Sequence, residues 1–156
     1  MTPDALARLY YQYFNERRFD EAGLLVDPEA VFHYVPTKQR LVGRAGYRAL
    51  VAGWVIAFED ASVEIVSAQH IDGENVRVEF IGHGTHTGDL VLGEALTIPA
   101  TGTLSALPFT DTLTIRNGLV CQSRFEFDVE ELWHRLTEGA PHLRALGPRR
   151  PPGSER

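Results

Sequence analysis

Cysteine is nearly absent from this chain of 156 residues. Cys121 stands alone, which excludes an intramolecular disulfide and any cysteine-built metal site. Cation-rich stretches are scarce too. Fifteen Lys and Arg face twenty-one Asp and Glu, a formal net charge of −6, so there is no basic stripe of the kind that neutralises phosphates, and nucleic acid is not an expected partner. The one basic cluster, Arg144, Arg149, Arg150 and Arg156, sits among Pro and Gly and reads as a solvated tail. No apolar run approaches the roughly 18 residues of a membrane span. The first residues, MTPDALARLYY, lack the basic-then-apolar order of a signal peptide. These absences together lead us to expect a soluble, cytoplasmic protein with no membrane partner. Gly82, Gly84 and Gly88 have no strand-to-helix context and form no phosphate loop. His33, His83 and His86 match no zinc spacing, so no metal is expected.

An ordinary apolar fraction of 44% is present, enough for one domain with a buried core. Thr2-Pro3-Asp4 is a helix start: a capping hydroxyl, Pro in the first turn, then acid. Leu6, Leu9, Tyr10, Tyr13 and Phe14 follow at helical spacing. A second short helix is expected over residues 19–26, a strand over 29–35, and a short connection over 40–43. A third helix is expected over 44–58, with Tyr47, Leu50, Val51, Trp54 and Phe58 on one side. Gly53 inside it costs about 1 kcal/mol against Ala and suggests close packing. Strands are expected over 61–70, 75–86, 104–115 and 119–127. The strongest hairpin signals are Asp72-Gly73 and Asn117-Gly118. Residues 89–102 read as a looser link and 130–136 as a short helix or turn. Helices segregated from a run of strands define an α+β domain over residues 1–138, with a Pro/Arg-rich, mostly disordered tail over 139–156.

Lone polar residues on these strands are the candidates for chemistry. Asp111 alternates with Phe109 and Leu113 and so shares their face. If that face lines a dry cavity, burial raises its pKa and makes it an acid or hydrogen-bond donor; otherwise it meets solvent or nearby backbone. His83 and His86 fall on opposite faces of a regular strand. With Val76, Val78 and Phe80 inward, His86 points in and His83 out; a bulge at Gly82 or Gly84 reverses this. The inward one is a candidate general base, and a rim or surface position is the alternative. Tyr34 shares a face with Phe32 and either orients a carbonyl or forms pocket wall. Tyr10 is open to the same two readings. Trp54, Phe58, Phe80, Phe109, Phe125 and Phe127 are core or cavity lining, suited to a flat, apolar, aromatic ligand.

The order of elements, with LYYQYFNERRFDEAGLLVDPEAVFHYVP, LVGRAGYRALVAGW, GTHTGDL, IPATGT and DTLTIRNGLV as landmarks over residues 4–137, resembles the nuclear transport factor 2-like superfamily and, within it, the SnoaL-like polyketide cyclases. The resemblance implies a cone-shaped, curved antiparallel sheet closed by three helices. It also implies a small, mostly apolar ligand in the cone, no cofactor, and homodimers paired through the outer sheet face, where Arg124 and Glu126 point. The cyclases' acid–base Asp on the last strand falls here on Phe125, and their second polar pocket residue on Asp111. The ketosteroid isomerases' Tyr and protonated Asp fall on Tyr10 and Asp111, and their base on Tyr34. One Asp of the related epoxide hydrolases also falls on Phe125.

Each of these mechanisms therefore lacks a group. The first expectation is a cofactor-independent enzyme of secondary metabolism that cyclises, isomerises or dehydrates a polyketide-like or terpenoid-like carbonyl compound. In it Asp111, His86, Tyr34 and Tyr10 are catalytic, and Phe32, Trp54, Phe58, Phe80, His83, Phe109 and Phe125 bind substrate. The alternatives are a non-catalytic pocket protein, favoured by Phe125, and an epoxide or ester hydrolase with relocated groups.

Overall fold

Thr2 caps the first helix as its sequence foretells: its hydroxyl oxygen accepts a 3.3 Å hydrogen bond from the Ala5 amide. The computed structural model describes residues 1–94 and 96–138; the tail expected from residue 139 onward lies outside them. The first helix, α1 (Pro3–Asn15), buries Leu6, Ala7, Tyr10 and Tyr11, whereas Leu9, Tyr13 and Phe14 are only half-buried. The buried face is thus rotated toward Ala7 and Tyr11 from the one marked by large apolar residues. Ala7 is wholly buried but too small to weigh in a reading by bulk.

A second helix, α2 (Phe19–Leu24), ends two residues earlier than expected, because Val26 already begins strand β1 (Val26–Tyr34). Strand β2 (Gln39–Val42) replaces the expected short connection and pairs antiparallel with β1. The third helix is α3 (Gly43–Ala57). Its Arg44 Nε donates to the carbonyls of Gly23 (2.9 Å) and Val26 (3.1 Å), tying α3 to the α2–β1 corner. Gly53 is exposed, and a Cβ there would meet nothing within 4 Å, so the expected close packing is absent.

Four longer strands follow: β3 (Ser62–Asp72), β4 (Asn75–Thr85), β7 (Leu104–Arg116) and β8 (Leu119–Glu126). At the β7–β8 turn Asn117 (φ 56°) and Gly118 (φ 73°) both take the left-handed conformation that a tight primed hairpin needs. The Asp72 carboxylate accepts from Asn75 Nδ2 at 2.8 Å across the other turn. The "loose link" contains a small hairpin instead, β5 (Leu90–Leu92) and β6 (Leu96–Ile98), whose alternating Leu90, Leu92, Leu96 and Ile98 are all buried. Helix α4 (Val129–Thr137), capped by Asp128, closes the described chain.

The main sheet is curved and open, in the order β2-β1-β8-β7-β4-β3. The α+β cone is as expected, with one departure: β1 runs parallel to β8, so the sheet is mixed rather than wholly antiparallel. Tight turns fix the antiparallel sense of β3–β4 and β7–β8. No turn joins β1 to β8, so turn chemistry carried no information about that pair. Arg124 and Glu126 form an exposed pair 3.7 Å apart. Among the described residues no helix is long and apolar enough to cross a membrane.

Candidate active site

Asp111 stands in the middle of the sheet. Across the strands it is in register with Val78 on β4 and Phe125 on β8, while its β7 neighbour Phe109 pairs with Phe80. The alternation along β7 sends Leu107, Phe109, Asp111, Leu113 and Ile115 to the buried side. Asp111 is 2% exposed. One carboxylate oxygen accepts from Ser123 Oγ at 2.6 Å and the other from the Tyr11 hydroxyl. Burial pushes the carboxyl up to about 6; the bonds from Ser123 and Tyr11 pull the other way, and Glu126 adds a small upward push. Burial also raises the Tyr10 and Tyr11 phenols well above the ordinary value, so both stay protonated, and Tyr11 donates to Asp111.

Above Asp111 lies a cavity of about 90 Å³ between α1, α3, Leu132 of α4 and the inner rows of β3, β4, β7 and β8. Nine of its lining residues are aromatic, and its ionisable groups other than tyrosines are Asp111 and His83. Two glycines on β4 make the space. A Cβ at Gly82 would come within 2.6 Å of Phe109 Cε1, and one at Gly84 within 2.9 Å of Phe58 Cβ. Inward positions that hold Val76, Val78 and Phe80 lower on the strand are thus emptied toward the rim. The rim is pinned from both sides. Asn15 exchanges two hydrogen bonds with the Val63 backbone (2.7 and 2.9 Å), and Asp60 holds the Thr85 amide and hydroxyl (2.7 and 2.9 Å).

The cavity collects Asp111, Tyr10, Trp54, Phe58, Phe80, His83, Phe109 and Phe125 from the expected set. Three others lie elsewhere. His86 is inward, with no register shift along β4 to reverse it, but it falls one residue beyond the strand end. There it is fully buried against the far side of the Phe58 ring (centroids 5.2 Å apart) and does not line the cavity. Its Nδ1 accepts from the Thr101 amide at 3.3 Å and its Nε2 has no partner; burial depresses its pKa. Tyr34 is shut off by Trp54 and Phe125 and lines a separate cleft under the β5–β6 hairpin. Phe32 is core, 6.3 Å from the Tyr47 ring and outside the cavity wall. His83 points outward as a regular strand requires, bonds Glu64 at 2.8 Å and reaches the rim.

Sequence reasoning did not single out Tyr11 and Ser123. Ser123 carried a usable signal: it is two residues from inward Phe125 and therefore on its face. Tyr11 follows Ala7 by four, the helical spacing that the small residue hid.

What the arrangement can do follows from its inventory. A carboxylate with pKa near neutrality, in an apolar cavity with protonated phenols beside it, can take a proton from carbon while a phenol stabilises the resulting oxyanion. Among the described residues no group of three or more His, Cys, Asp or Glu could hold a metal ion.

Residues 7–123 match the SnoaL-like domain family. Solved structures with the same fold include a putative polyketide cyclase from Xanthomonas campestris pv. campestris (TM-score 0.73, 20% identity, covering 86% of this chain and 96% of that one). A second, from Pseudomonas putida KT2440, has a TM-score of 0.71 at 20% identity, over 87% and 98% of the two chains. A third is AclR, a putative hydroxylase from Streptomyces galilaeus, with a TM-score of 0.71 at 19% identity over 87% and 96%. No curated protein matches the chain by sequence.

Proposed function

The chain belongs to the SnoaL-like domain family, and from that premise we propose that it is a cofactor-independent acid–base enzyme of secondary metabolism that enolises a carbonyl compound. The observation that carries this reading is Asp111: a buried carboxyl with a pKa of about 6, in an otherwise apolar cavity, held by two hydroxyl donors. Asp111 takes the proton from the carbon next to the carbonyl. The C–H electron pair moves into the enolate, whose oxygen accepts a hydrogen bond from Tyr10. Returning the proton from Asp111 at the same or another carbon completes an isomerisation; attack of the enolate on a second carbonyl closes a ring, with that proton going to the new alkoxide; loss of a neighbouring hydroxyl as water, carrying that proton, is a dehydration. Asp111 thereby replaces both His86, which is sealed off, and the last-strand acid, whose place Phe125 holds.

Substrate size is part of the proposal. Ligand pockets usually run to about 300–1,000 Å³, and this one measures about 90 Å³. A single small ring fits. A multi-ring polyketide or terpenoid enters only if half-buried Phe14 and Trp54 at the cavity wall swing outward.

The test is exchange of the hydrogens beside the carbonyl in a panel of small cyclic ketones in heavy water, followed by proton NMR. The proposal expects protein-dependent exchange that rises with pH through about 6 and falls at least about 100-fold in Asp111→Asn. Exchange that is indifferent to Asp111 would sink it. A second reading, a ligand-binding protein without chemistry, is favoured by Phe125 and by the sealing of His86; binding of ketones with no exchange would establish it.

A further inference from the structure

Asp111 lacks one thing that buried carboxylates generally have. A buried charge is costly unless a counter-charge accompanies it. Here the groups acting on it are the Tyr11 phenol from α1 and the Ser123 hydroxyl from β8, which bond it, and the Tyr10 phenol from α1; Tyr47 from α3 and Phe109 line the same cavity, and Glu126 adds negative charge from the end of β8. None is a cation. Among the described residues that line the cavity there is no Lys or Arg, and His83 at the rim is already paired with Glu64 at 2.8 Å. A carboxylate has about four lone-pair sites, and the two hydroxyls occupy two of them. The cavity that Asp111 lines is walled mostly by aromatic rings, the surface that best replaces water around an alkylated ammonium ion.

We propose that the cone also binds small alkylammonium cations, with the Asp111 carboxylate as their counter-ion and the surrounding rings in place of their hydration shell. The volume agrees: about 90 Å³ suits a trimethylammonium head and not a fused ring system. The charge comes from the ligand because the protein leaves that place empty of cations. The inference shares with the enolisation reading only the cone and Asp111. A cation seated on the carboxylate blocks proton abstraction, so such a ligand inhibits turnover instead of reacting.

The experiment compares choline with its neutral carbon isostere, 3,3-dimethylbutan-1-ol, by isothermal titration of the full chain at pH 5 and pH 8. Choline should bind at least about tenfold more tightly than the isostere at pH 8. The preference should shrink at pH 5, below the Asp111 pKa of about 6, and vanish in Asp111→Asn. His83→Gln should keep the pH dependence, which separates Asp111 from a charge at the rim. Equal binding of the two ligands at pH 8, binding of neither, or a preference that is the same at both pH values overturns the inference. The pH comparison uses the unaltered chain, so a misfolded Asn variant does not blunt it. A protein that prefers choline but exchanges no ketone hydrogens refutes only the enolisation reading; one that exchanges them and ignores choline refutes only this one.

Discussion

Asp111 and His86 begin alike. Each is a lone polar residue, inward by strand parity, one on β7 and the other at the end of its neighbour β4, and each is almost wholly buried. Asp111 lies mid-strand, with paired neighbours on both sides, so its side chain must rise into the space between sheet and helices. His86 lies just past the end of β4, where the chain bonds the 102–103 segment (His86 amide to the Thr103 carbonyl, 2.9 Å; Gly102 amide to the His86 carbonyl, 2.8 Å). Its ring is trapped between that loop and Phe58. Parity therefore told which side of the sheet a residue takes, while position along the strand decided whether it met a cavity or was walled off.

The largest effect that could break this comparison is on chemistry. Asp111→Asn should lower exchange of the substrate hydrogens by about 100-fold to 10,000-fold, whereas His86→Gln should leave the rate and its pH profile close to those of the parent. NMR exchange rates of both variants decide it. A large loss in His86→Gln, with Asp111→Asn unaffected, would reverse the roles.

The same contrast has a signature in stability. The folded state holds the Asp111 pKa at about 6 against an ordinary 3.8. This is a carboxyl raised by folding, so the neutral form is the one folding favours. Its stabilisation is complete below about 3.8 and is lost as pH rises through about 6. Above that the parent should be less stable by about 3 kcal/mol than an unshifted carboxyl would leave it. Asp111→Asn, which cannot ionise, should gain on the parent by that amount between pH 4 and pH 7.5 in urea melts. His86, whose pKa burial lowers, has the opposite pH dependence: its neutral form is favoured, so its contribution is present above the ordinary value of 6.5 and is lost as pH falls from there through the depressed value. Parallel melting curves of parent and Asp111→Asn across that range would show that Asp111 is not buried as described.

Much of this was legible in the chain. The hairpin at Asn117-Gly118, the α1 cap at Thr2 and the inward stripe Val76-Val78-Phe80 all follow from local rules, and each is where those rules put it. The parallel β1–β8 pair, the sealing of His86 and the exclusion of Tyr34 were not legible, because each depends on what a distant segment packs against it. Tyr11 falls between: its burial is periodic, but the small Ala7 concealed the period. Phe125, read as core or cavity lining and as the place of the cyclases' last-strand acid, lines the cone, and Ser123, one pleat away, is the partner of Asp111 that the reading left out.

The smallest effects compare two glycines that look alike in sequence. Gly82 faces inward, and a methyl group there would overlap Phe109 at 2.6 Å. Gly82→Ala should therefore cost about 1–3 kcal/mol as the ring is forced off its rotamer, and should weaken ligand binding because the displaced ring moves into the cavity. Gly53 is exposed on α3 with open space around its Cβ position. Gly53→Ala should stabilise the protein by about 0.5–1 kcal/mol, through helix propensity and a less flexible unfolded chain. It should leave exchange rates unchanged, since Gly53 borders the cleft beside Tyr34 and not the cone. Thermal melts of the two variants, with ligand titrations at one pH, read both effects. If Gly53→Ala alters ketone exchange, the cleft and the cone communicate through Leu50 and Trp54, the side chains that line both, and the wall that separates Tyr34 from the site is not fixed.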